Sequence, residues 1–93
     1  MKVRYYIDPA GKPHIYNPNV AESEVEEVLA SPGEDRPGRD EARVTIGQTS
    51  GGRLLRVIYV PDPEAKSLFV ITAYELRGKQ AFAYRRRRRK IRP

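Results

Sequence analysis

The side chains best suited to chemistry in this 93-residue chain are arginines, tyrosines and one histidine. Arg53 and Arg56 lie in an otherwise apolar segment, where an unpaired charge is costly, so each needs a carboxylate partner or an open face of a sheet. With Arg43 from the preceding strand, Arg56 could hold a scissile phosphate, and an ordinary ion pair across the sheet is the alternative. His14 is the only imidazole, so no second histidine completes an acid–base pair, and a surface position on an edge strand is its simpler interpretation.

The strongest functional signal is the charge near the C-terminus. Residues 77–93 hold nine basic residues and no acid, whereas residues 1–76 hold nine basic residues against twelve acids. Guanidinium groups in the run Arg85–Arg89 match phosphate, and the run favours RNA, DNA or an acidic protein, with a solvated tail as the alternative. Phe82 and Tyr84 beside the run could stack on bases. The predicted binding residues for RNA or a protein partner are Arg43, Lys79, Arg85, Arg86, Arg88 and Arg89.

Composition excludes several classes of protein. The chain has no cysteine and one histidine, which excludes disulfides, thiolate catalysis, Cys-ligated metals and a His-rich metal site. Asp40 and Glu41 would need ligands from elsewhere to hold an ion, so we expect neither a metal nor a cofactor. No apolar run approaches the roughly 20 residues of a membrane span, and Met1–Arg4 does not open a signal peptide, so we expect a cytoplasmic protein without a membrane partner. With 39% apolar residues the chain can build one thin core, which favours polymeric or protein partners over an enclosed substrate.

The first half of the chain predicts a hairpin, a helix and a loop. Val3–Ile7 and Pro13–Tyr16 are expected to pair as two strands at a sheet edge. Asn19 is expected to be the N-cap of an amphipathic helix that continues to Leu29, with its glutamates forming a solvated face. The charged segment Glu34–Glu41 contains Pro and Gly and is expected to be an exposed loop.

The second half predicts three strands and a basic helix. The paired glycines in Thr49–Gly52 are typical of a hairpin loop. The most apolar run, residues 68–74, is expected at the centre of the sheet. A helix is expected over Lys79–Lys90, and the basic tail, residues 85–93, is expected to fray when unbound because its like charges repel. The predicted strands cover residues 42–46, 53–60 and 68–74. The sequence therefore predicts one α+β domain over residues 1–93, with a small antiparallel sheet and element order β-β-α-β-β-β-α.

The segment Ile46–Tyr59, which reads IGQTSGGRLLRVIY, and the following Phe69–Ala73, which reads FVITA, resemble the BrnT family of small toxins from type II toxin–antitoxin systems. That family has a glycine–arginine hairpin, a strand ending in Ser-Ala-Arg and a basic C-terminal helix, and the resemblance spans about residues 14–90. The chain differs from the family at three places. Asn17-Pro18-Asn19 replaces Lys-His-Gly, Tyr74 replaces the arginine, and Gln80 replaces a glutamate.

The resemblance implies a RelE-like fold and metal-independent RNA cleavage that inhibits translation, with mRNA on the ribosome as one target. It also implies neutralisation by a cognate antitoxin. Cleavage by the RNA's own 2′-hydroxyl needs a base, a cation at the phosphate and a proton donor. The candidate catalytic residues are His14, Arg53, Arg56, Tyr74 and Tyr84. The alternative function is a non-catalytic module that holds RNA or an acidic protein through its Arg-rich C-terminal helix.

Overall fold

The computed structural model describes residues 2–16 and 18–91, with Lys90 and Ile91 described by their backbone alone. Two helices and a five-stranded mixed sheet make up the fold, so the predicted α+β class is confirmed. The strands are β1 (Lys2–Tyr5), β2 (Glu34–Pro37), β3 (Arg43–Gln48), β4 (Leu54–Asp62) and β5 (Ser67–Glu75). The helices are α1 (Glu22–Ala30) and α2 (Gly78–Ile91), and a short 3-10 turn covers His14–Tyr16. The strand order is β1-β5-β4-β3-β2.

Strands β3, β4 and β5 form an antiparallel meander that agrees with the sequence pattern. The β3–β4 turn uses the glycine expected there, since Gly52 has a φ of 92° and its N–H donates to the carbonyl of Thr49. The most apolar strand, β5, is an inner strand between β1 and β4, whereas β4 takes the central position. The prediction of β5 at the centre is therefore wrong by one place.

The N-terminal hairpin is not formed as predicted. Strand β1 pairs in parallel with β5. The predicted hairpin is reduced to an isolated bridge between Ile7 and Pro13, with backbone hydrogen bonds from the N–H of His14 to Tyr6 and from the N–H of Asp8 to Lys12. His14–Tyr16 is a 3-10 turn, which buries Ile15 under the sheet. Helix α1 begins after Ala21, because Asn19 has a φ of 62° and lies in a left-handed turn before the helix.

The predicted exposed loop contains an edge strand. Glu34–Pro37 forms β2, which pairs antiparallel with β3, and the hydroxyl of Thr45 donates to the carbonyl of Glu34 at 2.8 Å. The charged side chains are stable at this edge position because Glu34 and Asp35 each form an ion pair with an arginine. Pro37 ends the strand, where a missing N–H does least harm.

The sheet separates two apolar clusters. Side chains of β4 and β5 pack under α1 and the 3-10 turn in the larger cluster, which includes Leu55, Val57 and Val70. On the opposite face α2 covers a smaller cluster at one end of the sheet. Side chains alternate along β4, so neighbouring positions face different helices. This alternation decides which candidate residues can act together.

Candidate nucleic-acid interface

Helix α2 is docked on the sheet by a narrow apolar seam. Ala81 and Tyr84, three residues apart, lie on one face of the helix and are buried against Ile46, Leu54 and Leu76. The hydroxyl of Tyr84 occupies the space beside Gly33, where a side-chain carbon would overlap it. Tyr84 is therefore a packing residue. Because the residue is buried, its ring has no free face for the base stacking expected from the sequence.

The arginine run extends this docking by another turn. Arg87 donates from Nε to Glu34 Oε2 at 2.9 Å and from Nη2 to Oε1 at 3.0 Å, while Arg88 Nη1 donates to the carbonyl of Gly33 at 2.6 Å. The hydrogen bonds from Arg87 hold the pKa of Glu34 below its usual range, against the opposing effect of burial. Helix α2 continues to Ile91. The rest of the predicted frayed tail, residues 92–93, lies outside the described residues.

Arg85, Arg86, Arg88 and Arg89 form the arginine face of α2. All four are exposed, and none forms an ion pair with a described carboxylate. Lys79 is also exposed, in the first turn of the same helix. These cations, which lack a described carboxylate partner, therefore lie on a folded helix.

A groove of about 560 Å³ runs beside this helix. One wall carries Arg85, Arg88 and Arg89, and the other carries the segment 31–33 together with Gln48. Within the described part of the chain, no acidic residue lines the groove. An anion entering it would meet several guanidinium groups and no opposing charge from these walls, which suits a phosphate chain.

Arg56 and Tyr74 meet on the same face of the sheet, next to α2. They are cross-strand partners on β4 and β5, and Tyr74 packs against the cluster that contains Tyr84. Arg56 Nε is buried without a hydrogen-bond partner among the described residues, and the side chain borders an open depression of about 430 Å³ lined mainly by apolar residues. The sequence predicted either a carboxylate partner or an open face of the sheet for Arg56, and the side chain lies on the open face.

Arg53 is held in ion pairs on the other face. Its Nη1 donates to Glu24 Oε1 at 2.8 Å and its Nε to Glu75 Oε1 at 3.2 Å, with a further bond from Nη1 to the carbonyl of Asn19. These contacts tie the start of α1 to the ends of β4 and β5. They raise the pKa of Arg53, although partial burial opposes the shift. Arg53 and Arg56 are not brought together.

Two more predicted site residues also lie away from Arg56. Arg43 donates from Nε to Asp35 Oδ1 at 3.1 Å, and it pairs in register with Tyr59 on the α1 side of the sheet. The expected joint patch of Arg43 and Arg56 is therefore wrong, because the two side chains lie on opposite faces. His14 packs edge-to-face on Tyr6 with ring centroids 5.9 Å apart, at the β1 edge. It does not join the arginines of α2.

Sequence reasoning missed the residues that hold α2 in place. Glu34 and Gly33 contact α2 residues more than 50 positions away, so no local pattern could have identified them. The glutamates of α1 are also more engaged than a solvated face requires. Glu24 accepts from Arg53, and Glu27 accepts from the N–H of Ser50 at 2.6 Å.

The fold and interface define a small α+β protein whose mixed sheet carries an acidic helix on one face and an arginine-rich helix on the other. The chain belongs to the DUF4258 family, a domain of unknown function, whose model matches residues 17–75. This match ends before α2, so the arginine face lies outside it. No curated protein and no solved structure matches the chain. No helix in the described part of the chain is both long and apolar enough to span a membrane.

Proposed function

We propose that the protein binds RNA through the arginine face of α2 and the groove beside it. The observation that supports this proposal is the pairing of the arginines. Arg87 is neutralised by Glu34, and the other four arginines of the run have no described carboxylate partner. Such a face attracts a polyanion, and its affinity comes from counterion release at the phosphates. An RNA target would be met in the cytoplasm, the compartment expected from the sequence.

The proposal is tested by fluorescence anisotropy with a labelled RNA at several salt concentrations. Four phosphate contacts on a single strand predict a slope of about −3 for log K against log salt. Replacing Arg85, Arg86 and Arg89 together by glutamine is expected to reduce the slope to about −1. The matched control removes three exposed cations elsewhere, with Lys2, Lys12 and Lys66 replaced by glutamine.

The control chain is expected to bind nearly as tightly as the wild type. Equal weakening in both triple variants would mean that net charge alone attracts the RNA, and the assignment to α2 would be overturned. An acidic protein could occupy the same face, and the cognate antitoxin implied by the BrnT resemblance is the partner to test there. Competition between that protein and RNA for the wild-type chain would support a shared surface.

RNA cleavage, as in a BrnT-like toxin with a RelE-like fold, is the second candidate function. Arg56 and Tyr74 favour it, because they are neighbours beside α2 and Arg56 Nε has no described partner. In the proposed reaction the 2′-oxygen attacks phosphorus as its proton passes to solvent water, and the bond to the 5′-oxygen breaks as that oxygen gains a proton. Arg56 would stabilise charge on the phosphate, and the Tyr74 phenol would donate the proton.

The cleavage candidate is tested with single-stranded RNA in the presence of a metal chelator. Products should carry a 2′,3′-cyclic phosphate and a 5′-hydroxyl, and both Arg56→Gln and Tyr74→Phe should lose the activity. Arg53→Gln is the control, since Arg53 is already held by Glu24 and Glu75. If the wild type leaves the RNA intact, or if all variants cleave alike, the assignment of catalysis to Arg56 and Tyr74 is overturned.

A further inference from the structure

Phe82 is the exposed aromatic residue that lies beside the free cations. It is 60% exposed, whereas Tyr84, two residues later, is buried under the helix. The other large apolar side chains with high exposure, Tyr6, Ile7 and Tyr16, precede α1 and lie outside α2. A single exposed apolar residue is ordinary by itself, so the significance of Phe82 depends on the residues that surround it.

Helical spacing surrounds Phe82 with basic residues. Arg85 and Arg86 follow it by three and four positions, and Lys79 precedes it by three, so all three neighbour its ring on the helix surface. One helical turn advances about 5.4 Å, so a ligand lying along this face meets a cation on each side of the ring. None of these three cations has an ion pair with a described carboxylate.

An aromatic ring between cations distinguishes single-stranded from duplex nucleic acid. In a duplex the base faces are stacked on one another, and a side chain on a helix surface reaches only phosphates and groove edges. The deep, narrow major groove of A-form RNA also excludes a helix. A single strand exposes both its phosphates and the faces of its bases, and base stacking on aromatic residues contributes strongly to its binding.

We propose that Phe82 stacks on an unpaired base of single-stranded RNA, with the flanking phosphates held by Lys79 on one side and by Arg85 and Arg86 on the other. This inference rests on the proposed RNA-binding function and specifies its substrate class. An anionic membrane is the competing partner for a basic helix with an aromatic residue. Phe82 is the only large apolar side chain on the exposed surface of residues 78–89, which is less than an interfacial helix uses.

The experiment compares one labelled RNA as a single strand and as a duplex with its complement, at the same salt concentration and with the full chain. The variants are Phe82→Ala, Phe82→Leu and Phe82→Tyr. We expect Ala and Leu to weaken single-strand binding by about fivefold or more, and Tyr to retain it within about twofold, since only Tyr keeps a ring. Duplex binding and the salt slope should stay unchanged in all three.

The outcomes separate this inference from the proposed function. A wild type that binds neither form of RNA refutes both. The stacking alone is overturned if the wild type binds RNA with the expected salt slope but Phe82→Ala lowers the affinity for the duplex as much as the affinity for the single strand. Phe82→Leu binding like the wild type also overturns stacking. Vesicles of phosphatidylserine and phosphatidylcholine test the membrane alternative. If the wild type binds these vesicles and the Phe82→Ala variant does not, while RNA binding is unchanged, Phe82 is assigned to lipid instead.

Discussion

Arg87 and Glu34 are 53 positions apart in the chain and form a two-pronged ion pair, with N–O distances of 2.9 and 3.0 Å. This pair joins α2 to the edge strand β2, one helical turn beyond Tyr84 of the apolar seam. It therefore fixes the direction of the helix and, with it, the surface on which the neighbouring arginines are displayed. The stability of the fold should depend on this pair.

Replacing Arg87 by glutamine is expected to lower the free energy of unfolding by about 1 kcal/mol. The Glu34 side chain is only 16% exposed, so it loses a charge-assisted bond that water replaces poorly. Urea unfolding followed by circular dichroism measures the change. The matched control is Arg36→Gln, which removes a 3.4 Å contact to the same carboxylate from a side chain that is 54% exposed. An equal loss in both variants would contradict a special role for Arg87.

The contribution of this pair should depend on pH. Because Arg87 lowers the pKa of Glu34 in the folded chain, the pair stabilises the fold above the unfolded value of about 4.3. That stabilisation is lost as the pH falls through the lower, folded-state pKa. The difference in unfolding free energy between the wild type and Arg87→Gln should therefore be full at pH 7 and should decrease progressively as the pH falls below about 4.3. A difference that is constant over this range would contradict the linkage.

The close approach of Gly33 to Tyr84 provides a third prediction. A side-chain carbon at Gly33 would overlap the Tyr84 hydroxyl, so Gly33→Ala should destabilise the fold by about 1–3 kcal/mol. Adding Tyr84→Phe removes the overlapping oxygen and should recover at least half of the loss. Urea unfolding of both single variants and the double variant measures this coupling. Additive effects of the two substitutions would show that the hydroxyl is not the obstacle.

The predictable part of the fold is the part with a local cause. Strands β3 to β5 follow from alternating or continuous apolar residues, and α1 follows from the stripe that contains Val25 and Val28. Strand β2 has no such pattern, because Glu34–Pro37 is charged and ends in proline. It is a strand only because β3 offers an unpaired edge and because Arg87 and Arg43 neutralise its carboxylates.

The candidate site was predictable to a smaller degree. The basic helix was visible as composition, but the choice of which arginines stay free depends on Glu34, a contact across the whole fold. The grouping of Arg53 with Arg56 was less sound, because residues three apart on an extended chain point to opposite faces. The two-residue period of a strand is by itself enough to argue against a shared phosphate site.

The opposite environments of Arg53 and Arg56 give the last prediction, with methionine as a replacement of similar shape at both positions. Arg53→Met removes the cation that joins Glu24 to Glu75, and we expect a loss of about 1–2 kcal/mol in unfolding free energy. Arg56→Met removes a buried Nε that has no described partner, so we expect no loss and up to about 1 kcal/mol of gain.

Urea unfolding of the two methionine variants measures this contrast, and RNA anisotropy on the same samples measures the proposed RNA binding. Arg53→Met should leave the salt-dependent binding through α2 unchanged, since Arg53 lies on the other face of the sheet and is held by Glu24 and Glu75. A loss of stability in Arg56→Met as large as in Arg53→Met would mean that Arg56 has a structural partner after all. An arginine that is retained at a cost in stability is expected to serve a ligand, so a neutral or stabilising Arg56→Met would strengthen its assignment to a phosphate.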